Sequence, residues 1–267
     1  MNNQYRISYN NDNYTKPIDF HSHDFYEIYF FVSGNVTYYI ENENYTLQKG
    51  DVLIIPPGKL HRPVIERNLS YERYVLWLYH PFTEHSIESQ ALMQELNQMI
   101  LAKNQLRVSF LGSQFQEAVF LFDNLLKCFH SNDKFAPYTG QSNLVLIVNA
   151  LLENLNAAEK QPEDNPDVIQ KIIAYINVNV AHAPSLDALS KRFYLSKYYL
   201  AHKFKERTNT TLHKYILMKK INMAKQLLLQ KKSPKAVCDL CGFSTYSNFY
   251  KEFKHQTGVS PKHYINF

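Results

Sequence analysis

Three histidines and a glutamate in the first quarter of the chain have the residue types and the spacing of a ligand site. His21 and His23 lie two residues apart, Glu27 follows four residues later, and His61 comes after a proline–glycine turn. Alternate residues of a β-strand share a face, so the first three fit one strand and His61 a neighbouring one. Imidazole and carboxylate groups bind iron, manganese, nickel or zinc, and they also hydrogen-bond polar ligands. Four interpretations are open: a catalytic metal, a structural or sensory metal, the polar lining of a ligand pocket, or hydrogen bonding within the domain wall.

The elements that must position this set are β-strands. From Ile28 onward, short runs of β-branched and aromatic residues alternate with polar ones and are broken by turn sequences, which predicts an antiparallel small barrel or jelly roll. From Ser89 the apolar residues recur every three or four positions, which predicts helices. One helical stripe contains Phe115, Phe122 and Phe129. We expect this stripe to form a homodimer interface, with packing on its own barrel as the alternative.

Charge divides the chain into two parts. Through Asp164 there are 12 Lys and Arg against 19 Asp and Glu, whereas from Asn165 onward there are 17 against 5. A strongly basic domain has the electrostatic character of a polyanion binder. An acidic stretch with two prolines separates the halves, so we predict a domain at 1–158, a linker at 159–167 and a second domain at 168–267.

The basic part contains an internal repeat. Residues Ser185, Ala188 and Leu189 recur 48 positions later, and Phe204 and its neighbours recur 49 positions later. Each copy has a short helix that begins at a serine N-cap, then a turn and a second helix, which is the pattern of a helix-turn-helix unit. Two such units are predicted, and the second helix of each can enter a major groove.

Helical phase separates the buried and exposed faces of the two recognition helices. Leu200 and Phe204 in the first helix, and Phe249 and Phe253 in the second, are predicted to face inward. The outward residues are the predicted DNA-binding set: Tyr198, Ala201, His202, Lys205, Tyr246, Ser247, Asn248 and Lys251.

Several spaced motifs of the basic part agree with one known family. They are the pattern from Lys220 to Leu228, the pair Gly242-Phe243, and the segment Thr257-Gly258-Val259-Ser260-Pro261 that precedes Tyr264. Together they resemble the AraC/XylS family of transcription regulators. The resemblance implies that a long helix from about Leu212 holds both units on one side of the duplex, at successive major-groove segments.

The acidic part contains two spaced motifs. The spacing HxH-x3-E-x6-G ends at Gly34, and the spacing G-x5-P-x-G-x2-H runs from Gly50 to His61. Together they resemble the two sequence motifs of the cupin superfamily. The final asparagine of the second cupin motif is absent, and Ile65 stands in its place. Small barrels of this type are also the sensing domains of AraC-type regulators.

Together these features predict a sequence-specific regulator of transcription, an activator, rather than an enzyme. Its effector is expected to be a carbohydrate, since carboxylate, imidazole and aromatic groups suit sugar hydroxyls and ring faces. We expect promoter DNA and RNA polymerase as partners, and no cofactor, resident metal or catalytic residue. A metal-dependent cupin enzyme with a basic tail that binds nucleic acid incidentally is the alternative. The predicted effector-binding residues are His21, His23, Glu27, Tyr38, His61 and Trp77.

Cysteine content and hydropathy indicate the compartment. Three cysteines are too few for a disulfide framework, and we expect Cys238 and Cys241 to be buried by packing. The first twenty residues lack a signal-peptide pattern, and no apolar run reaches the ~18 residues that a membrane span needs. A cytoplasmic protein without a membrane partner is expected. A polar arm that includes Tyr5 and Tyr14 is expected to precede the barrel and to cover the ligand.

Overall fold

The amino-terminal half folds as two antiparallel β-sheets in the computed structural model, which describes residues 4–12, 18–66, 70–79, 87–157, 167–208 and 210–265. One sheet has the strand order β1-β7-β2-β5-β8, and the other has the order β4-β3-β6. The strands are β1 (Tyr5–Asp12), β2 (Tyr26–Ser33), β3 (Val36–Ile40), β4 (Glu43–Thr46), β5 (Asp51–Ile55), β6 (His61–Ile65), β7 (Tyr71–Leu78) and β8 (Arg107–Ser109).

Burial follows the alternation in the sequence. In β3 the residues Val36, Tyr38 and Ile40 are buried and the two between them are half-buried. Strand β2 is buried over its first six residues because both its faces are covered, as its run of aromatic and branched residues indicates. The predicted fold class, a β-domain followed by helices and a helical carboxy-terminal domain, is confirmed.

Strand β1 corrects the expectation of a polar arm. Tyr5 is buried and pairs with Leu78 of β7, so the segment is the edge of the larger sheet and does not cover a ligand. The sequence Tyr5-Arg6-Ile7 alternates apolar and polar residues, as a strand does. The many polar residues on either side of it obscure this short strand signal. Tyr14 lies outside the described residues.

Three helices follow β7, with β8 between the first and the second of them. The helix α2 packs on β1, and both α1 and α2 pack against α3. The ring of Phe122 lies 5.1 Å from that of Phe30 and 5.5 Å from that of Tyr74. Phe115 and Phe129 pack against the same core. The expectation that this stripe is a dimer face is therefore wrong, because the larger sheet covers it. The helices are α1 (Ile87–Lys103), α2 (Ser113–His130) and α3 (Ala136–Ala157).

The carboxy-terminal half is helical. The predicted caps Ser185, Ser196 and Ser233 accept the expected backbone N–H bonds, and Thr245 caps the last long helix in the same way. The predicted linker lies outside the described residues except for Asp167, which caps the first helix of this half. The helices are α4 (Val168–Val178), α5 (Leu186–Arg192), α6 (Lys197–Thr208), α7 (Leu212–Leu229), α8 (Pro234–Leu240), α9 (Tyr246–Thr257) and α10 (Pro261–Tyr264), with a 3-10 turn at Val180–His182.

Helix α7 joins two separate hydrophobic cores. Its residue Tyr215 packs in the core of the first unit, formed with α4, α5 and α6, and Leu228 packs in the core of the second unit, formed with α8 and α9. Cys238 and Cys241 are buried in the second core, as expected. Gly242 has a φ of 66°, and a Cβ there would lie 1.8 Å from the carbonyl oxygen of Ala181, so this turn requires glycine.

Among the described residues, no helix combines the length and the apolar content needed to cross a membrane.

Candidate functional site

Glu27 lies at the centre of the residues that the sequence predicts for effector binding, which we call the effector cluster. It is 6% exposed, on β2. Its carboxylate accepts hydrogen bonds from the Tyr38 hydroxyl at 3.1 Å and from the Trp77 indole N–H at 2.9 Å. Trp77 is the register partner of Glu27 on β7, whereas Tyr38 belongs to the other sheet. The carboxylate therefore ties the two sheets together at the cluster.

The three histidines of the cluster are hydrogen-bonded in the same way and so share one tautomer. In His21, His23 and His61, Nδ1 lies 2.8–3.0 Å from a backbone carbonyl oxygen two residues away along the chain. A carbonyl only accepts, so Nδ1 carries the hydrogen and donates it. Each neutral ring is then left with a lone pair on Nε2. Fixing the tautomer in this way is what second-shell carbonyls do for histidines that bind metals.

Two of these Nε2 atoms face the carboxylate. Nε2 of His23 lies 3.4 Å from Oε2 of Glu27. Nε2 atoms of His23 and His61 are buried without a hydrogen-bond partner. Together with a Glu27 oxygen they form a group whose ligand atoms all lie within 4.8 Å of one another. This group could hold a divalent cation, or it could accept hydrogen bonds from hydroxyl donors.

The surroundings of Glu27 and His61 shift the pKa values of both groups. Burial acts to raise the pKa of Glu27, but the closeness of His23 and His61 and the hydrogen bond from the Trp77 indole outweigh it, and the pKa falls to about 2. Burial lowers the pKa of His61 to about 3, against the opposing effect of Glu27. An ionised carboxylate thus faces at least one neutral imidazole.

His21 occupies the margin of the cluster. Its exposed ring packs edge-on against His61, with 4.4 Å between ring centroids, and its backbone forms an isolated bridge with His61. It is not a member of the group of three ligand atoms. The structure therefore brings His23, Glu27, Tyr38, His61 and Trp77 together and leaves His21 at their edge.

The two recognition helices, α6 and α9, each have one buried and one exposed face. Leu200, Phe204, Phe249 and Phe253 are fully buried, as helical phase predicts. All eight residues of the predicted DNA-binding set are exposed, with Tyr198 at 83%.

Further exposed residues on these faces were not predicted. Tyr194, in the turn before α6, has 95% of its surface exposed and a φ of 55°. Tyr250 lies one turn after Tyr246 on α9, and the exposed Lys254 and His255 follow on the same helix. The four-residue spacing of Tyr246 and Tyr250 is a signal that could have identified the second tyrosine.

Two family models match the chain. The AraC-like ligand binding domain matches residues 3–118, and a helix-turn-helix domain matches residues 189–266. The chain belongs to the AraC/XylS family of transcription regulators. The first match contains the whole effector cluster, and the second contains both recognition helices. The chain thus combines an AraC-like ligand binding domain with a helix-turn-helix domain.

Three relatives illustrate the range of similarity within the AraC/XylS family. The probable transcriptional regulator LumQ of Photobacterium leiognathi is 34% identical over 35% of this chain and 38% of LumQ. The xylose operon regulatory protein of Haemophilus influenzae is 26% identical over 67% of this chain and 43% of that protein. The transcriptional activator RhaS of Escherichia coli is 22% identical over 91% of this chain and 85% of RhaS.

The first two matches cover less than half of the length of those relatives. The matched domains and relatives are transcription regulators and not enzymes, so the alternative of a metal-dependent cupin enzyme is not supported.

Proposed function

We propose that the chain activates transcription by binding specific promoter sequences through both helix-turn-helix units, under the control of a small effector bound at the effector cluster. The observation that supports this proposal most directly is the pair of exposed polar faces on α6 and α9. Each face is backed by a separate aromatic core, and one helix, α7, joins the two units. Helix α7 has 18 residues, which is about 27 Å at 1.5 Å per residue. This length is comparable with the ~34 Å between successive major-groove segments.

Binding of the full chain to duplex DNA tests the DNA-binding part of the proposal. Fluorescence anisotropy with duplexes selected from a random library, compared with unselected duplexes, measures specificity. We expect tight retention of the selected duplexes and a steep loss of affinity with salt, because phosphate contacts release counterions. Equal affinity for both kinds of duplex, over a range of salt concentrations, would overturn the proposal of sequence-specific binding.

For the effector we propose a carbohydrate. The ionised carboxylate of Glu27 and the lone pairs of His23 and His61 are acceptors suited to hydroxyl groups. The similarity to the xylose operon regulatory protein supports the same class. A ligand at 100 times its dissociation constant stabilises a protein by about 2.7 kcal/mol, so a thermal-shift screen with pentoses and hexoses should detect it. A sugar that stabilises the parent chain should not stabilise the Glu27→Ala variant. That variant should retain its affinity for DNA.

A divalent transition-metal ion is the second candidate effector. The specific observation in its favour is the pair of buried Nε2 atoms without partners, beside a carboxylate that is close to both. Calorimetric titration with Zn²⁺, and the visible absorption of bound Co²⁺, would detect the ion. His61→Gln should abolish both signals. A sugar that stabilises the chain, together with no binding of Zn²⁺ or Co²⁺, would identify the effector as a carbohydrate.

We propose homodimerisation through the outer face of α2 and α3. Phe120 and Leu146 are exposed there, beside Leu121 and Ala150, and form a shallow apolar groove. Phe120→Glu should convert a dimer to a monomer in sedimentation equilibrium, and a monomeric parent chain would contradict this assignment. As an activator the dimer would also contact RNA polymerase and act in the cytoplasm.

A further inference from the structure

The segment that brings His21 and His23 to the effector cluster also contacts the DNA-binding half. Successive residues of an extended segment point to opposite sides. Ser22 donates a hydrogen bond from Oγ to Oδ1 of Asn222 on α7, at 2.9 Å. The next even-numbered residue, Asp24, accepts one from Lys225 on α7 and another from the Tyr264 hydroxyl on α10. One short segment therefore connects the cluster with both ends of the second unit.

The segment that brings His61 to the cluster has the same double role. The carbonyl of Gly58 accepts a hydrogen bond from Nδ2 of Asn222 at 3.2 Å. The side chain of Leu60 is fully buried in the core of the first unit, together with Tyr215. Leu60 and His61 are adjacent, so a displacement of the His61 ring displaces a core residue of the DNA-binding half.

Glu41 makes the third connection. It stands in the turn between β3 and β4 at a φ of 53°, and it is buried. Its carboxylate accepts hydrogen bonds from the Tyr215 hydroxyl at 3.0 Å, from Nζ of Lys219 at 2.7 Å and from the backbone N–H of Leu60 at 2.8 Å. Glu41 thus joins α7 directly to the segment that carries His61.

Apart from Leu60, the contacts described above are polar, and polar contacts favour a reversible interface. A buried ion pair contributes little net stability, because the desolvation of both charges offsets their attraction. Polar interfaces between domains of one chain permit relative motion. Two carboxylates, Glu41 and Asp24, hold α7 at Lys219 and Lys225, which lie on either side of Asn222. The β-domain therefore contacts the middle of α7, the helix that joins the two units.

We propose that these contacts form an interdomain latch through which the effector cluster sets the position of α7, and with it the relative placement of the two recognition helices. The latch rests on the proposed function, and it specifies the route by which that function is regulated. Occupancy of the cluster moves His23 and His61, the two segments that carry them shift, and the hydrogen bonds of Asn222, Asp24 and Glu41 change with them.

The latch can be tested without knowing the effector, because coupling between two sites is reciprocal. If the cluster acts on the recognition helices, DNA bound to those helices must act on the cluster. The chain contains one tryptophan, Trp77, whose indole donates to Glu27 in the cluster. The probe is a duplex selected for binding from a random library, added to the full chain while Trp77 emission is recorded.

We expect saturating duplex to shift the Trp77 emission of the parent chain. The shift should be lost in Asp24→Asn and in Glu41→Gln while both variants still bind the duplex, with affinities changed by about fivefold or more. The matched control is Glu95→Gln, which makes the same change at an exposed carboxylate on α1; it should retain the shift. Asp24 is partly exposed, so Asp24→Asn should disturb folding less than Glu41→Gln does. If circular dichroism shows that Glu41→Gln is unfolded, Asp24→Asn alone still tests the latch.

The outcomes separate the latch from the proposed function. A parent chain that retains no duplex overturns the proposed function, and the latch falls with it. A parent chain that binds the duplex with no shift in Trp77 emission overturns the latch alone. A shift that persists in Asp24→Asn also overturns the latch.

Discussion

The two helix-turn-helix units share one internal plan. In the first unit the ring of Phe204 meets Tyr215 edge-on at 5.4 Å, and in the second Phe253 meets Tyr264 edge-on at 5.4 Å. In each unit a threonine hydroxyl at the end of the recognition helix donates to the backbone carbonyl four residues earlier. The sequence repeat is therefore a structural repeat, down to single hydrogen bonds.

The units differ in their charges and in their attachments. On α6, Glu206 pairs with Lys203 at 2.8 Å and lies 3.9 Å from His202. On α9, Lys251 and Lys254 are exposed, and neither forms an ion pair within the described part of the chain. The core of the first unit includes Phe20 and Leu60 of the β-domain, whereas the core of the second unit contains no β-domain residue among those described. The first unit is thus the one held by the sensing domain, and the acidic residue on its recognition helix, Glu206, is more exposed than Glu252 on α9.

The largest effect should come from removing a core aromatic ring. Phe253→Ala should destabilise the second unit by about 3–5 kcal/mol, because it leaves a cavity in a fully buried core. Phe204→Ala should cost a similar amount and should also loosen the β-domain, since Phe204 shares a core with Leu60. Urea unfolding measures the loss of stability in both variants. Limited proteolysis should cut the β-domain faster in Phe204→Ala than in Phe253→Ala. Equal protection of that domain in the two variants would contradict the proposed difference in attachment.

Removing one cation from each recognition helix tests the difference in charge. Lys251→Ala should weaken duplex binding more than Lys205→Ala, because the exposed Glu206 lies directly beside Lys205, whereas Glu252 beside Lys251 is half-buried. If Lys251 contacts a base, the loss of discrimination at that position should be roughly 1–3 kcal/mol, and if it contacts a phosphate, the salt slope should fall by about 1. Anisotropy at several salt concentrations distinguishes these cases, with Lys134→Ala, at an exposed lysine between α2 and α3, as the control. Equal losses for Lys251 and Lys205 would remove the distinction between the units.

Acid should release the first unit before the second. Burial acts to raise the pKa of Glu41, but Lys219 and its other partners, with Lys59 nearby, lower it below the ordinary value of 4.5. A carboxyl group whose pKa is lowered by folding stabilises the fold at pH values above its ordinary pKa. This stabilisation is lost as the pH falls through the lowered pKa. Hydrogen exchange in α7 near Tyr215 should therefore increase more than exchange in α9 as the pH falls below 4.5. Glu41→Gln should flatten this pH dependence, and an unaltered profile in that variant would assign the acid sensitivity to other groups.

Much of this arrangement was accessible from the sequence, because it depends on local rules. Helical phase identified Leu200 and Phe249 as core residues, and N-cap chemistry placed the helix starts at Ser185 and Ser233. The convergence of His23, Glu27 and His61 was predicted from spacing. Both His21 and His23 precede β2, which begins only at Tyr26, so the two-residue period does not extend to Glu27 and does not indicate which histidine reaches the carboxylate.

The contacts between the halves were not accessible from the sequence. Ser22, Asp24 and Glu41 have the composition of ordinary turns, and their partners lie roughly two hundred residues away along the chain. No local period or motif relates positions at such a distance. The aromatic stripe of α2 was ambiguous for a different reason, since an apolar face requires a covering surface but does not specify which one.

The smallest predicted effect concerns the acidic residue on the first recognition helix. The ion pair with Lys203 lowers the pKa of Glu206, so its charge opposes an approaching phosphate at neutral pH. Glu206→Gln should raise the affinity for duplex DNA by about twofold at low salt, because exposed pairs contribute little, and the gain should disappear as salt screens the charges. Anisotropy titrations at low and high salt measure it, with Glu252→Gln on α9 as the matched change in the second unit. A larger gain from Glu252→Gln would reverse the comparison, because the acidic residue that limits DNA binding would then lie in the second unit.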